Sequence, residues 1–342
     1  MKMRKTIKYT QRGYIDMAAL LDEERSSFIF ITGARGAGKT YGAIDYAIRH
    51  QDKPFILMRR TQVQADFAGS VSTTPLAANL RPGEYLQQVK TGVKNMYQID
   101  VMRKSEKDDV LIRSCIIIAL STVSSMRGID LSRCGMLIFD EFIKEPHEKP
   151  IRSEYLAFIN AIETINRNRE RNGEPPLRVV ALSNALDLAN PYYRGFDVVN
   201  EVYKMTGEIW RDPQQGLAIY RPESREFLDE KRTSALYQLK GADAALGNEW
   251  SAIDLSRVRS LSLKRAAPLC SINGVGLYKI NRVLFASMTQ PSDKPSYNLE
   301  DRVDRAAVHR KFQGVINLIF ARKIVFESVD VMLRVAEFIT DL

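Results

Sequence analysis

One eight-residue stretch constrains the fold of this chain of 342 residues more than any other. Residues 33–40 read GARGAGKT, match the pattern G-x-x-x-x-G-K-[ST], and lie between an apolar run, FIFIT, and a helical pattern, TYGAIDYAIRH. This order predicts a nucleotide-binding P-loop, because backbone N–H groups and a helix N-terminus favour a bound phosphate. Lys39 would reach the β and γ phosphates and the Thr40 hydroxyl would bind Mg²⁺. The predicted nucleotide-binding positions are Gly33, Ala34, Arg35, Gly36, Ala37, Gly38, Lys39 and Thr40.

Further short apolar runs follow the loop. Continuous runs of this length are typical of strands buried on both faces, and helical patterns lie between several of them. The alternation predicts an α/β fold with a central, mostly parallel sheet. With FIFIT (28–32), which precedes the loop, the runs are FILM (55–58), IIIAL (116–120), MLIF (136–139) and VVAL (179–182).

The pattern changes after about residue 190, which indicates more than one domain. EIWRDPQQGLAIYRP reads as a hairpin, and the charged stretch SREFLDEKRTSALYQLKGADAAL reads as a helix. A second apolar pattern begins near residue 252. We therefore predict an ATPase domain at 1–200, a hairpin and helical linker or lid at 201–250, and a smaller α/β domain at 251–342.

Composition limits the classes of binding partner and the cellular compartment that are expected. The formal net charge of +9 and the pI of about 9.3 favour a polyanionic partner, nucleic acid first and a membrane surface second. The three cysteines and three histidines show no metal-ligand spacing, and the cysteines are most simply thiols of a reducing compartment. No signal peptide or membrane-spanning run is present in the sequence, so no membrane association is expected.

A pair of carboxylates follows the run MLIF. Asp140 would bind Mg²⁺ at the end of a buried strand, and Glu141 would orient and deprotonate the attacking water. An acidic residue directly after the strand aspartate favours the ATPase classes that add a strand between the two motifs, known as ASCE ATPases. The sequence thus predicts a Mg²⁺-dependent ATPase.

Two other stretches add candidate residues. Asn184 in VVALSNA would sense the γ-phosphate, although Ser-Asn after a strand is also ordinary turn chemistry. INRNRERNG carries Arg167, Arg169 and Arg171 at the end of an amphipathic helix. These arginines could be a solvated helix end, contacts to a phosphate backbone, or an arginine finger given to a neighbouring subunit, and the sequence does not separate the three readings.

GARGAGKT, LIFDEFIKE, ETINRNRER and LSNALDLANPYY, in that order, resemble the DNA-packaging ATPase of small tailed bacteriophages of the phi-29 group. The resemblance covers residues 31–193, returns more loosely at the C-terminal end, and is poor between about 200 and 298. It implies a homopentameric ring on a viral prohead, threading double-stranded DNA through a portal, with a structural RNA at the vertex in some members. The motor would work in the cytoplasm of the infected host.

The resemblance also implies residue roles. Arg167 matches the finger that acts on the adjacent subunit. Arg127 falls where the family has another basic residue near the neighbouring site, and Arg35 matches a loop arginine that responds to nucleotide. The family's second domain resembles a ribonuclease H-type nuclease that lacks its catalytic acids. Residues 251–342 show no convergent set of carboxylates, so we expect no nuclease activity and instead contacts to DNA or vertex RNA. Candidate basic residues are Lys264, Arg265, Arg302, Arg305, Arg310 and Lys311.

The function predicted from the sequence is an ATP-driven translocase of double-stranded DNA. Two alternatives stay open at this point. One is another nucleic-acid ATPase, such as a helicase or a DNA-transfer pump. The other is a nucleotide-dependent assembly switch that does no mechanical work.

Overall fold

The computed structural model describes residues 6–126, 128–145, 148–184, 190–233, 257–280, 283–321 and 323–339. The chain divides into two compact units that alternate along the sequence. Unit 1 comprises Met1–Asp187 and Met205–Glu249, and unit 2 comprises Leu188–Lys204 and Trp250–Leu342. Within the ranges given above, no helix is both long and apolar enough to cross a membrane.

Unit 1 is built on a sheet of nine strands in the order β3-β4-β5-β2-β6-β7-β1-β9-β8. The strands are β1 (Phe28–Thr32), β2 (Phe55–Arg59), β3 (Glu84–Val89), β4 (Tyr97–Arg103), β5 (Val110–Ala119), β6 (Met136–Asp140), β7 (Arg178–Ser183), β8 (Ile209–Asp212) and β9 (Leu217–Tyr220). Its helices are α1 (Met17–Glu23), α2 (Lys39–Arg49), α3 (Gln62–Ala68), α4 (Glu154–Asn166) and α7 (Arg225–Arg232).

The middle of this sheet is parallel, as the apolar runs predict. Strands β5, β2, β6, β7, β1 and β9 pair in parallel, and antiparallel strands extend the sheet at both edges. The residues Ile29, Leu57, Ile138 and Val180 are fully buried because helices cover the central strands. The carboxyl ends of parallel strands meet at one edge of a sheet, so residues that follow β1, β2, β6 and β7 come together.

The hairpin at 209–220 is not part of a linker, in contrast to the division drawn from the sequence. Strand β9 pairs in parallel with β1, with Phe28 opposite Leu217, and β8 forms the outer edge of the nine-stranded sheet. The physical reason is burial, because all four residues of β9 are apolar and buried. Residues 188–200, assigned from the sequence to the first domain, and residues 201–204, assigned to the linker, belong to unit 2. The second half of the expected charged helix, after residue 233, lies outside the described residues.

Unit 2 contains a sheet of five strands in the order β13-β10-β11-β12-β14. Strands β10 to β12 form an antiparallel meander, and the two outer strands pair in parallel with it. The strands are β10 (Ala267–Ile272), β11 (Val275–Ile280), β12 (Val283–Ser287), β13 (Ser296–Tyr297) and β14 (Ile324–Phe326). The helices are α5 (Pro191–Gly195), α6 (Val199–Lys204), α8 (Arg302–Lys311), α9 (Gln313–Phe320) and α10 (Val329–Ile339).

Two acidic residues of unit 2 have structural partners. The carboxylate of Asp301 caps α8 by accepting from the backbone N–H groups of Val303 and Asp304. The carboxylate of Asp330 accepts from Arg334 Nε at 2.6 Å. The mixed sheet does not by itself show a nuclease domain, and the likeness to ribonuclease H therefore stays a prediction.

Candidate active site

The glycine-rich loop crosses from β1 to α2 in a backbone conformation that only glycine adopts without strain. Gly36 and Gly38 have φ angles of +84° and +87°, and Gly38 is the N-cap residue of α2. The backbone N–H of Gly33 donates to the Ser183 carbonyl at 3.2 Å, which joins the start of the loop to the end of β7. The α2 N-terminus thus opens onto the loop, as anion binding requires.

Lys39 is buried in the loop, and its ammonium group donates hydrogen bonds to three uncharged oxygens. Its Nζ lies 2.9 Å from the Gly33 carbonyl, 2.8 Å from the Ala34 carbonyl and 2.8 Å from Asn184 Oδ1. Asn184, predicted as the sensor, therefore contacts the predicted phosphate lysine directly. The Lys39 ammonium group thus links the P-loop to Asn184, which follows β7.

The two predicted acidic residues lie opposite the loop. Asp140 is the last residue of β6, and its Oδ1 accepts from the Thr40 hydroxyl at 2.9 Å. Glu141 follows with a φ of +57°, which is uncommon for a residue with a side chain. Such strain occurs at functional sites where the surrounding structure fixes the backbone. Thr40 and Asp140 together offer the hard oxygen ligands that Mg²⁺ prefers.

A residue that the sequence analysis missed joins the two acids. Arg59, the last residue of β2, donates from Nη1 to Asp140 Oδ2 at 2.5 Å and from Nη2 to Glu141 Oε2 at 2.6 Å. Strand β2 lies beside β6, with Met58 opposite Phe139, so Arg59 falls next to Asp140. The signal in the sequence was an arginine directly after the apolar run FILM, at a strand end where functional side chains meet.

The surroundings of Glu141 act on its proton affinity in both directions. Burial raises the pKa of the Glu141 carboxyl, and the negative charges of Asp140 and Glu145 raise it further. The positive charges of Arg59 and, to a smaller degree, Arg35 lower this pKa. Because the pKa of Glu141 is raised overall, its carboxylate is a stronger base than an exposed glutamate.

Arg35 lies at the rim of the loop and does not enter it. Its Nη2 is 3.5 Å from Glu145 Oε1, and 66% of its side chain is exposed. This position leaves the guanidinium on the solvent side of the site, next to the segment that follows the two acids.

The structure separates the three arginines that follow α4. Arg169 is buried and donates to the Cys134 carbonyl, so it supports the fold. Arg167 is the C-cap residue of α4, with a φ of +46°, and its Nη2 donates to the Ile129 carbonyl at 2.9 Å. Arg171 is exposed. Among the described residues, the side-chain partners of Arg167 are Ile129 and Asp130, not the P-loop or the acidic pair. Arg127 lies outside the described residues.

A family model and three relatives of similar sequence all concern DNA packaging in phages. The family model for the podovirus DNA encapsidation protein (Gp16) matches residues 11–250. The DNA packaging proteins of Bacillus phages PZA, phi29 and B103 are each 28% identical to the chain over 214 residues, 61% of its length. The match spans 57–59% of these three relatives' own length.

Two solved structures share the fold over nearly the whole chain. One is a chain of the bacteriophage Phi-29 viral genome packaging motor assembly, with a TM-score of 0.67, 21% identity, and coverage of 96% of this chain and 99% of that one. The other is a chain of the Phi-28 gp11 DNA packaging motor, with a TM-score of 0.60, 18% identity, and coverage of 97% and 98%.

Proposed function

Because this chain belongs to the podovirus DNA encapsidation protein (Gp16) family, we propose that it is the ATP-hydrolysing subunit of a motor that packages double-stranded DNA. One observation carries the proposal. Lys39 and Thr40, Asp140 and Glu141, and Asn184 come from three separate parts of the chain and converge at one sheet edge. This is the arrangement that phosphoryl transfer to water requires.

Each side chain has a distinct task in this proposal. The loop N–H groups and Lys39 hold the phosphates of ATP, and Thr40 with Asp140 holds Mg²⁺. Bound there, Mg²⁺ would neutralise charge on the phosphate oxygens. Glu141 orients the attacking water and accepts its proton, while Asn184 contacts the γ-phosphate.

Arg59 must exchange partners for this chemistry to proceed. Its guanidinium occupies oxygens of both Asp140 and Glu141, the atoms that would bind Mg²⁺ and water. We therefore infer that Arg59 holds the two acids in a resting arrangement and releases Glu141 when nucleotide binds.

The proposal extends to the assembly in which the chain works. The names of the relatives and structural neighbours concern DNA packaging and a packaging motor. We propose a homo-oligomeric ring, pentameric by family resemblance, docked at the portal of a prohead in the host cytoplasm, with a vertex RNA as a further partner. Arg167 would act on the nucleotide of the adjacent subunit, and basic residues of unit 2 would contact nucleic acid.

The test compares Glu141→Gln with Lys39→Ala. We expect Lys39→Ala to abolish ATP binding, and Glu141→Gln to keep it while hydrolysis falls on the order of 10²-fold or more. ATP binding is measured by titration, and DNA entry into proheads is measured by protection from nuclease. Hydrolysis unchanged in Glu141→Gln would overturn the role of this residue. DNA entry that persists in Glu141→Gln without hydrolysis would instead favour the switch, and unwinding of a forked duplex would favour a helicase.

The role of Arg167 is tested by mixing subunits. An Arg167→Ala subunit keeps its own P-loop, and a Lys39→Ala subunit keeps its own Arg167. Donation between subunits predicts that the mixture hydrolyses ATP faster than either variant alone. Failure to recover activity at every mixing ratio contradicts it.

A further inference from the structure

A fully buried arginine directly after β2 is not used in any of the roles assigned above. The side chain of Arg60 has no exposed surface. Its Nε and Nη2 donate to the two carboxylate oxygens of Glu154, at 2.7 and 3.1 Å, and its Nη1 donates to Glu148 at 2.8 Å. A buried guanidinium needs such partners, because its removal from water is costly. Arg60 therefore holds two parts of the chain that follows the acidic pair.

The contact with Glu154 fixes the start of α4. Glu154 is the first residue of this helix and is buried. The N-cap residue, Ser153, has a φ of +50°, and its side chain forms no capping hydrogen bond within the described part of the chain. A side chain at this position usually accepts from the first N–H groups of the helix. Arg60 thus provides, at this end, a directional contact that the cap residue does not.

Apolar packing holds the remainder of α4. Phe158, Ile162 and Ile165 are buried, and the Phe158 ring stacks on that of Phe139, with centroids 5.6 Å apart. Hydrophobic burial is not directional, and packed helices can shift by about 1–2 Å between two arrangements. The hydrogen-bonded ion pair between Arg60 and Glu154 is directional, so it determines the position of α4 along its own axis.

The other end of α4 carries Arg167 at the opposite edge of the sheet. The helix has 13 residues and is therefore about 20 Å long. Near its end, Asn166 Oδ1 accepts from the backbone N–H of Leu177, the residue before β7, at 2.8 Å. The P-loop follows the carboxyl end of β1, whereas Arg167 lies where the neighbouring strand β7 begins. A shift of α4 would thus move Arg167 together with the start of the helix.

We propose that Arg60 is a positioning residue for Arg167. By holding the first residue of α4, it sets the place from which Arg167 reaches the nucleotide of the adjacent subunit. A misplacement of about 1 Å can lower a rate on the order of 10²-fold, so a small shift of the helix is enough to remove the effect of Arg167. The inference rests on the finger role proposed above and adds the group that aligns it.

The test uses a double variant, Arg60→Met with Glu154→Leu. Both charges are replaced together, because removal of one partner would leave the other buried and unpaired. Glu148 keeps its contacts from Gln64 Nε2 at 2.8 Å and from the backbone N–H of Glu145 at 3.1 Å. The P-loop and Arg59 are unaltered, so ATP binding, measured by titration, should match that of the unaltered chain. Hydrolysis by the double variant alone should be as low as that of Arg167→Ala.

Mixing then separates the two functions of a subunit. With Lys39→Ala subunits, which carry an intact Arg167, the double variant needs only to accept a finger, and hydrolysis should recover. With Arg167→Ala subunits the double variant must supply the finger, and recovery should be about tenfold lower than with a Lys39→Ala donor. Full recovery in the second mixture overturns the positioning role. Failure in both mixtures assigns Arg60 to the site of its own subunit and also overturns the role.

A matched pair of single variants guards against a packing defect in the double variant. Glu154→Gln and Glu148→Gln make the same change to the two acidic partners of Arg60, and each leaves the other carboxylate in place. Only Glu154 lies on α4, so Glu154→Gln should reduce donation to Arg167→Ala subunits and Glu148→Gln should not. Equal donation by both variants contradicts the proposal.

The mixture of Lys39→Ala with Arg167→Ala subunits is the reference for these experiments. If it does not recover hydrolysis, the finger proposed above fails, and the positioning role fails with it. If it recovers and the double variant donates equally well, the positioning role alone is overturned.

Discussion

At the residue scale, Arg59 balances the charges of the acidic pair. Two adjacent carboxylates repel each other, and one guanidinium that contacts both relieves this repulsion. The same contact favours the charged form of Glu141, against the burial that raises its pKa. The residue thus affects the pH at which Glu141 can act as a base.

Replacing Arg59 with Gln should move the acid limb of the pH–rate profile for ATP hydrolysis to higher pH. The reason is that Arg59 lowers the pKa of Glu141, so its loss raises that pKa, and a base works only when deprotonated. The pH dependence of kcat/KM for ATP hydrolysis measures the shift, because this ratio reports the pKa values of the nucleotide-free protein, in which Arg59 contacts Glu141. Arg35→Gln is the control, because Arg35 lowers the same pKa to a smaller degree, and an acid limb that does not move in Arg59→Gln contradicts the role.

Arg167 combines a candidate catalytic side chain with a strained backbone. Its φ of +46° and ψ of −122° lie where glycine is favoured over residues with a Cβ. We expect Arg167→Gly to be more stable than Arg167→Ala by roughly 1 kcal/mol, because glycine adopts this conformation without strain. Chemical denaturation of the two variants measures the difference. Equal stability would mean that the backbone turn is not strained as described.

The residues of the loop, the acidic pair and Asn184 were predicted from sequence, and the structure brings them together. Each of these residues lies directly after an apolar run that predicts a strand. The carboxyl ends of parallel strands meet at one edge of the sheet, so these residues come together. Arg59 was not predicted because its role depends on β2 lying beside β6, and nothing local to FILMR specifies that neighbour. Of the three arginines after α4, Arg169 is buried, and the sequence pattern did not indicate that burial.

At the element scale, the end of β2 connects the site to α4. Arg59 contacts the acidic pair, and the next residue, Arg60, is fully buried and donates from Nε to Glu154 at 2.7 Å. Glu154 is the first residue of α4, and Arg60 also contacts Glu148 at 2.8 Å. Arg59 ends β2 and Arg60 follows it, so the contacts of one dipeptide join the site and the start of α4.

A second buried cluster attaches the β8–β9 hairpin to the start of the sheet. Glu24, the C-cap residue of α1, accepts from Arg211 Nε of β8 at 2.8 Å and from the hydroxyl of Tyr220 of β9. Burial raises the pKa of Glu24, but hydrogen bonds from Tyr220, Ser26 and Arg211 outweigh it and hold the pKa at about 2. The carboxylate is therefore charged when the hairpin is attached.

This cluster predicts a specific acid sensitivity. The folded pKa of Glu24 is about 2 against an ordinary 4.5, so its contribution is complete above about pH 4.5 and is lost as pH falls towards 2. We expect Glu24→Gln to lower the free energy of unfolding at pH 7 by about 1–3 kcal/mol and to flatten its decline over that pH interval. Denaturation at several pH values measures both effects. Glu23→Gln, at a half-buried neighbouring position whose ion pair with Lys8 is accessible to solvent, should change little, and a decline in Glu24→Gln as steep as in the unaltered chain contradicts the assignment.

Elements were predictable where the sequence is continuously apolar. The five runs identified in the sequence correspond to β1, β2, β5, β6 and β7. Strands β3 and β4 were missed because their residues are largely half-buried or exposed and form no apolar run. The hairpin β8–β9 was predicted as a hairpin but assigned to a linker, since its pairing with β1 joins residues far apart in sequence.

At the scale of the whole molecule, the excess of basic residues is relevant to the proposed DNA-packaging function. A motor that moves along any sequence must contact phosphates, and the net charge of +9 supplies the cations. We expect the affinity for duplex DNA to fall linearly on a plot of log K against log salt concentration, with a slope near −0.9 for each phosphate neutralised.

Fluorescence titration with duplexes of different sequence measures this slope. The slopes and affinities should agree between duplexes of unrelated sequence, because phosphate contacts carry no sequence information. Affinity that is unchanged between low and moderate salt, or that depends strongly on sequence, would rule out binding through the phosphates.

The alternation of the two units along the chain decides how the protein could be divided. The chain leaves unit 1 after residue 187, returns at 205 and leaves again after 249. Truncation near residue 200 would remove β9 and turn β1, the strand that leads into the P-loop, into an open sheet edge prone to aggregation. Truncation near 250 would keep the sheet whole but separate α5 and α6 from the rest of unit 2. No single cut yields two complete units, so proteolysis or gene fission at either point should produce at least one fragment that fails to fold.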